Sequence, residues 1–420
     1  MAHVETPTPR AVPNVPDLIT IDVTPGTRVF VSSDLHFPRV PTEASKWAEA
    51  EVSRALREIE GPALLVLAGD VIELWAGEEP SAAAAMTTHP KFVHAVKAFG
   101  AQEDRRVVCL PGNHDGRLGW DMEAVEVVQD DLGAELTFAV DLRLATPEGQ
   151  RTVHIEHGHA FDPANRFEDP RDPHDTPLGQ HIVQQVLPDL ARSSDASLLH
   201  GVESLADPRT FPAFVTSRVF YHRVVRAARW LLVPLVFAIG IHYGITVLDE
   251  PARLRLRARD LVIFDLVVVA AVAVTAAVLM LAGHRTWRSA TSGGMNKERG
   301  MGQNDNSRAG ARELVANGYA GMICGHTHHP ELTSLGRGFY ANTGSGTRVI
   351  EQIDARFRFP HIFLTRLQLS WVVLDAEPQG WKVELWAGHR PAGATTRLER
   401  LLSGKNDRDG AQPEVVKSFP

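Results

Sequence analysis

The sequence predicts an α/β fold carrying a helical, membrane-embedded insertion. Short β-rich runs alternate with helical stretches from residue 27 and resume after 312. Five of the apolar runs lead directly into a turn that carries Asp, Asn or His. Between these two regions lie two long, almost uncharged apolar segments. A chain of 420 residues is long enough to bury one large core and still hold an insertion.

The elements follow in order. Residues 1–18 are Pro-rich without an apolar core, so they are neither a signal nor a transit peptide, and 1–26 is predicted to be a flexible segment. Strands are predicted at 28–32, 63–68, 106–110, 135–144 and 152–157, with helices at 43–60 and 91–99. The first part of the α/β domain therefore runs over 27–161. Residues 162–312 break the rhythm with a Pro/Asp-rich loop, helical stretches, the hydrophobic hairpin 230–281 and a Gly/Asn/Ser-rich linker at 292–306. The second part, 313–402, holds predicted strands at 320–324, 339–342, 369–374 and 381–386. Residues 403–420 are polar and aperiodic, which predicts a disordered tail.

The five strand ends carry the chemistry. They read Ser33-Asp34-Leu35-His36, Gly69-Asp70-Val71-Ile72-Glu73, Gly112-Asn113-His114-Asp115, Glu156-His157-Gly158-His159 and Gly325-His326-Thr327-His328-His329. Any one of them alone is a common turn. Five in succession, all at the ends where ligands collect on open α/β sheets, predict a metal site. In an extended segment residues two apart point the same way, so His326 and His328 converge while His329 points elsewhere. His154 and His159 compete with His157 for the fourth motif. His157 shares the face of Val153 and Ile155 and directly precedes a glycine.

This set resembles the calcineurin-like metallophosphoesterase family, with its order D-x-H, G-D-x-x-D, G-N-H-D/E, H and G-H-x-H; the likeness to UDP-diacylglucosamine hydrolases is confined to those shared motifs. The resemblance covers roughly 27–160 and 310–390 and implies an αββα sandwich. By it, Asp34, His36, Asp70 and His328 hold one metal ion, Asp70, Asn113, His157 and His326 hold the other, and Asp70 bridges them. It also implies that His114 protonates the leaving oxygen. Asp115 then orients its ring or raises its pKa. Glu73 stands where the family often has Asp, and is expected outside the ligand shell. Mixed oxygen and nitrogen donors without thiolate suit Mn²⁺ first, with Fe or Zn²⁺ as the other choices. Two ions about 3.5–4 Å apart are the means of neutralising phosphoryl oxygens and supplying a nucleophile at neutral pH.

Residues 230–248 and 261–281 each reach about 28–32 Å as a helix, close to the ~30 Å bilayer core, and predict a membrane hairpin. The ligands before and after the hairpin must meet on one side, so two crossings satisfy the geometry. Arg253, Arg255, Arg257 and Arg259 occupy the connection. Arg218, Arg223, Arg226, Arg229, Arg285 and Arg288 flank the pair, and this narrow excess places the catalytic domain in the cytoplasm. Antiparallel packing about the connection brings His242 and Asp265 to nearly the same depth, which predicts that they pair.

A net charge of −8 with 7% aromatic residues gives no basic footprint, so no nucleic-acid partner is expected. The only two cysteines, Cys109 and Cys324, lie in apolar runs and are expected to be reduced and buried. The sequence thus points to a membrane-associated two-metal hydrolase of phosphoester or pyrophosphate bonds in an amphiphilic or lipid-linked substrate. The alternatives are an anchored phosphatase or phosphodiesterase of soluble substrates, and a non-catalytic membrane scaffold.

Overall fold

The computed structural model describes residues 14–77, 79–186, 211–247, 262–275, 302–356, 359–392 and 412–419, with a few isolated residues between. Two sheets pack face to face. One has six strands in the order β1 (Ile19–Val23), β6 (Ala139–Thr146), β7 (Gly149–Glu156), β8 (Gly321–Cys324), β10 (Phe339–Asn342) and β9 (Glu331–Ser334). The other has eight. Its order is β14 (Glu414–Phe419), β13 (Gly380–Pro391), β12 (Ile362–Glu377), β2 (Arg28–Ser32), β3 (Ala63–Ala68), β4 (Arg105–Leu110) and β5 (Glu135–Leu136), with β11 (Arg348–Ile353) paired to β12.

Strand periodicity builds the layers. Leu64, Val66 and Ala68 of β3 face the six-stranded sheet, where Val140, Leu142, Val153 and Ile155 meet them. The alternate residues Ala63, Leu65 and Leu67 face the outer helices α1 (Glu43–Glu58), α2 (Ala82–Thr88) and α3 (Pro90–Gly100). Both faces of β3 are covered, so all six of its residues are buried. Helix α1 starts where Thr42 and Ser45 cap each other's backbone N–H, and it packs inward through Trp47, Val52 and Leu56. Strands β2 to β5 run parallel, as do β7, β8 and β10, so the motif-bearing ends of both sheets share one edge of the sandwich.

Several elements differ from the sequence reading. The single strand expected at 135–144 divides, because β5 joins β4 and the chain then crosses to the other sheet as β6. Thr137 fixes the crossing by donating to Pro16 O at 3.1 Å. Within the segment read as flexible, β1 pairs with β6, and in the segment read as a disordered tail β14 pairs with β13. Both are edge strands, which need one partner and carry little periodicity. The end of the predicted linker is buried at Asn304 and leads into a helix at Asp305–Ala316.

The insertion requires a correction. Among the described residues no helix is long and apolar enough to cross a membrane. The first apolar run belongs to a 37-residue helix, Phe211–Val247, whose start is fastened to the catalytic domain. There Tyr221 Oη donates to Pro360 O at 2.7 Å, Ser217 Oγ donates to His361 O at 2.6 Å, and Phe214 meets Phe363 edge to face. Of the second run, residues 262–275 are helical. The connection 249–260 with its arginines, together with Arg285 and Arg288, lies outside the described residues. His242 Nδ1 and Asp265 Oδ2 do pair, at 2.9 Å.

Three glycines let the strand ends crowd together. A Cβ on Gly69 would fall on the His157 ring, one on Gly112 on Asp70 Oδ1, and one on Gly325 on Ser33 Oγ and Asp34 Oδ2. Gly112→Ala is therefore expected to lower stability by about 1–3 kcal/mol and to weaken metal binding by displacing the Asp70 carboxylate; denaturant unfolding and metal titration check the two effects. Cys109 and Cys324 are buried and free, and burial raises both thiol pKa values, that of Cys324 to about 12. Neither should react with a thiol reagent such as DTNB until the domain unfolds, so labelling measured against denaturant should follow the unfolding transition.

Candidate metal centre

Five of the residues at these strand ends, Asp34, His36, Asp70, His326 and His328, have left-handed backbone with φ between 44° and 71°. Such non-glycine conformations cost about 1–3 kcal/mol each and persist where surrounding structure holds them. Ladder-like bonds do so here. Asp34 N donates to Gly69 O, His36 N to Asp70 O, and Gly325 N to His157 O. The turns aim the side chains at one another. Asp34, His36 and His328 each bring a donor atom within 4.8 Å of the others, as do Asp70, His157 and His326. His36, Asp70 and His114 form a third such group between them.

The individual distances show two adjoining cradles. His328 Nε2 lies 3.2 Å from both Asp34 Oδ1 and His36 Nε2. Asp70 Oδ2 lies 3.8 Å from His36 Nε2 and 3.2 Å from His157 Nε2, so this carboxylate touches both groups. Asn113 Oδ1 is 3.2 Å from His157 Nε2 and 2.9 Å from His326 Nδ1.

Three imidazoles have one nitrogen occupied from outside, which frees the other for the cradle. His157 Nδ1 donates to Ala68 O at 2.8 Å, His36 Nδ1 meets Glu73 Oε2 at 3.0 Å, and His326 Nε2 meets Asp162 Oδ2 at 3.0 Å. A carbonyl or carboxylate can only accept, so in the neutral rings the inner nitrogens present lone pairs. Asp34 Oδ1 is buried without a hydrogen bond. Converging lone pairs and an unpaired carboxylate oxygen suit divalent cations, and the donor set fits two ions.

Electrostatics agree with that fit. Burial works against ionisation of Asp34 and Asp70, yet neighbouring histidines, His328 and His157 foremost, keep both carboxyls below the usual range. For His114, burial opposes the charge, but Glu73 and then Asp70 outweigh it and raise the ring to about 9.

The structure brings together every residue the sequence proposed as a ligand, His157 among the competing histidines. His154 pairs with Asp141 at 2.8 Å instead, and His159 Nδ1 is buried without a partner. His329 has no place in either cradle. Asp115 adds its charge to those of Glu73 and Asp70 in raising the His114 pKa, one of the two roles expected of it, but it does not hold the ring: its carboxylate accepts from the backbone N–H groups of Asp70, Val71, Ile72 and Gly112, and so braces the Asp70 turn. The ring of His114 is held by Glu73 at 2.9 Å from Nδ1, and Trp75 stacks on it at 4.3 Å. Glu73 thus grips both His36 and His114. Its identity was visible in the second motif, but its double contact was not.

Comparison with known proteins follows the same line. Residues 27–221 match the calcineurin-like phosphoesterase family, a stretch that holds Asp34, His36, Asp70, Asn113, His114 and His157 and ends before His326. No curated protein matches. Among solved structures, a phosphopantetheinyl hydrolase from Mycobacterium tuberculosis aligns at 12% identity over 77% of this chain and 92% of its own. The TM-score is 0.28, too low to carry an argument. The match over residues 27–221 is to the calcineurin-like phosphoesterases, and it supports a metal-dependent phosphoesterase that acts on a phosphorylated substrate.

Proposed function

We propose that the protein is a two-metal hydrolase of phosphoester or pyrophosphate bonds in an amphiphilic substrate. The carrying observation is the pair of cradles that share Asp70. In this reading Asp34, His36, Asp70 and His328 hold one divalent ion and Asp70, Asn113, His157 and His326 the other, with Mn²⁺ the first candidate for a thiolate-free set of oxygens and nitrogens. Two ions, when bound, supply neutralisation of the phosphoryl oxygens and a nucleophile at neutral pH. The chain's own contribution to bond cleavage is His114. With Nδ1 pinned to Glu73, it carries its second proton on Nε2 and donates it to the leaving oxygen. Trp75 on one face of the ring limits its rotation.

The amphiphilic substrate rests on a separate observation. Val236, Phe237, Ile239 and Tyr243 of the long helix and Val262, Leu266, Val267 and Val274 of its partner segment are all exposed. Apolar side chains collected in this way on adjoining helices mark a binding surface more often than ordinary solvent-facing structure. They give the apolar part of a substrate somewhere to lie while its phosphate is cleaved.

Asp70→Asn is expected to lose more bound metal than His328→Ala, because Asp70 serves both ions; elemental analysis of the purified variants measures it. A variant that keeps two equivalents sinks the bridging role. His114→Ala should keep both metals and lose roughly 10²–10⁴-fold in kcat on alkyl phosphates, with a far smaller loss on nitrophenyl esters, whose leaving group needs no proton. Equal losses on both would remove the general acid. Replacing Val236, Phe237 and Ile239 together by Ser should slow hydrolysis of a long-chain phosphoester in mixed micelles by about tenfold. The same triple variant should hydrolyse a short-chain ester at the wild-type rate, and an equal rate on both substrates would point to a water-soluble one.

A further inference from the structure

The loop that opens the insertion reaches back into the metal centre. Asp162 follows a short 3-10 turn, His159–Phe161, and that turn is pinned in two ways. Asn306 Nδ2 donates to Phe161 O at 3.2 Å, and the Phe161 ring lies so close to Gly310 that a Cβ there would overlap it. The carboxylate is then aimed by its own loop. Ala164 N donates to Oδ1 at 3.0 Å and Asn165 Nδ2 to Oδ2 at 2.7 Å. What remains of Oδ2 is directed at His326 Nε2, 3.0 Å away, while His326 Nδ1 faces Asn113 Oδ1 at 2.9 Å.

We infer that Asp162 is a positioning residue for the ion held by Asp70, Asn113, His157 and His326. It fixes His326 as the tautomer with its proton on Nε2, and so leaves the Nδ1 lone pair toward the ion. An unconstrained imidazole divides its proton between the two nitrogens, and the form with Nδ1–H cannot bind a cation at that atom. A carboxylate on the far nitrogen removes that form, orients the ring and makes the inner nitrogen more basic. Among the described residues nothing equivalent reaches the other cradle from the insertion, so the effect falls on one ion.

The inference rests on the two-ion reading, and two measurements separate their failures. The first is independent of metal. In stripped protein, ¹H–¹⁵N spectra of the histidine side chains should report His326 as the Nε2–H tautomer in wild type. In Asp162→Ala the same ring should show a mixture or a shift toward Nδ1–H. An unchanged tautomer overturns the inference whatever the metal stoichiometry. The second is calorimetric titration with Mn²⁺. Wild type is expected to take up two equivalents, and Asp162→Ala to weaken one of them by roughly 10–100-fold with the other unchanged. Equal weakening of both sites, or of neither, also overturns it. Wild type binding fewer than two equivalents would strike the two-ion reading and leave the tautomer result to decide this one.

Discussion

The site is organised by two carboxylates, Asp34 and Asp70, buried at neighbouring strand ends. An ionised carboxylate taken out of water costs several kcal/mol unless something positive or strongly donating replaces the solvent. Without an ion, protonated imidazole rings hold these two ionised, foremost His328 for one and His157 for the other; a bound cation would take over that role and leave the rings neutral. Each imidazole that turns a lone pair inward must satisfy its second nitrogen elsewhere. That need draws in Ala68 O, Glu73 and Asp162. The network thus grows outward from two charges, and its outer members are as necessary to the geometry as the inner ones.

Crowding sets the backbone. Residues at the ends of two facing sheets come close enough for their side chains to converge only if the chain turns sharply, and five of the seven residues of the two cradles do so with positive φ. Glycine appears beside them where a neighbour's ligand already fills the space a Cβ would need, as Gly112 does for Asp70 and Gly325 for Asp34. Asp115 spends its carboxylate on four backbone N–H groups around the Asp70 turn, which compensates donors that no strand reaches.

Much of this was legible. The ligands stand directly after apolar runs, and a period of two with a glycine stop marks a strand end without any knowledge of its partners. What could not be read is contact across long separations. Asp162 lies in a loop crowded with Asp and Pro, where one more carboxylate carries no signal, and its partner stands on a different strand of the fold. The same holds for Glu73, visible as a motif residue but not as the group gripping two histidines. Edge strands β1 and β14 were hidden because a strand with one neighbour and one open face has little pattern. The hairpin failed for a different reason: hydropathy registers how apolar a segment is but not what its ends are fastened to, and Tyr221 and Ser217 fasten this one to a loop of the catalytic domain.

The insertion leaves and rejoins the domain at two residues that grip the same loop. Asp162 holds His326, and Asn304 donates to His329 O while accepting from Thr327 Oγ1. The loop that carries His326 and His328 is thus held from two sides by the entry and the exit of one insertion. A strain applied to either clamp would reach both histidines through a single short piece of chain.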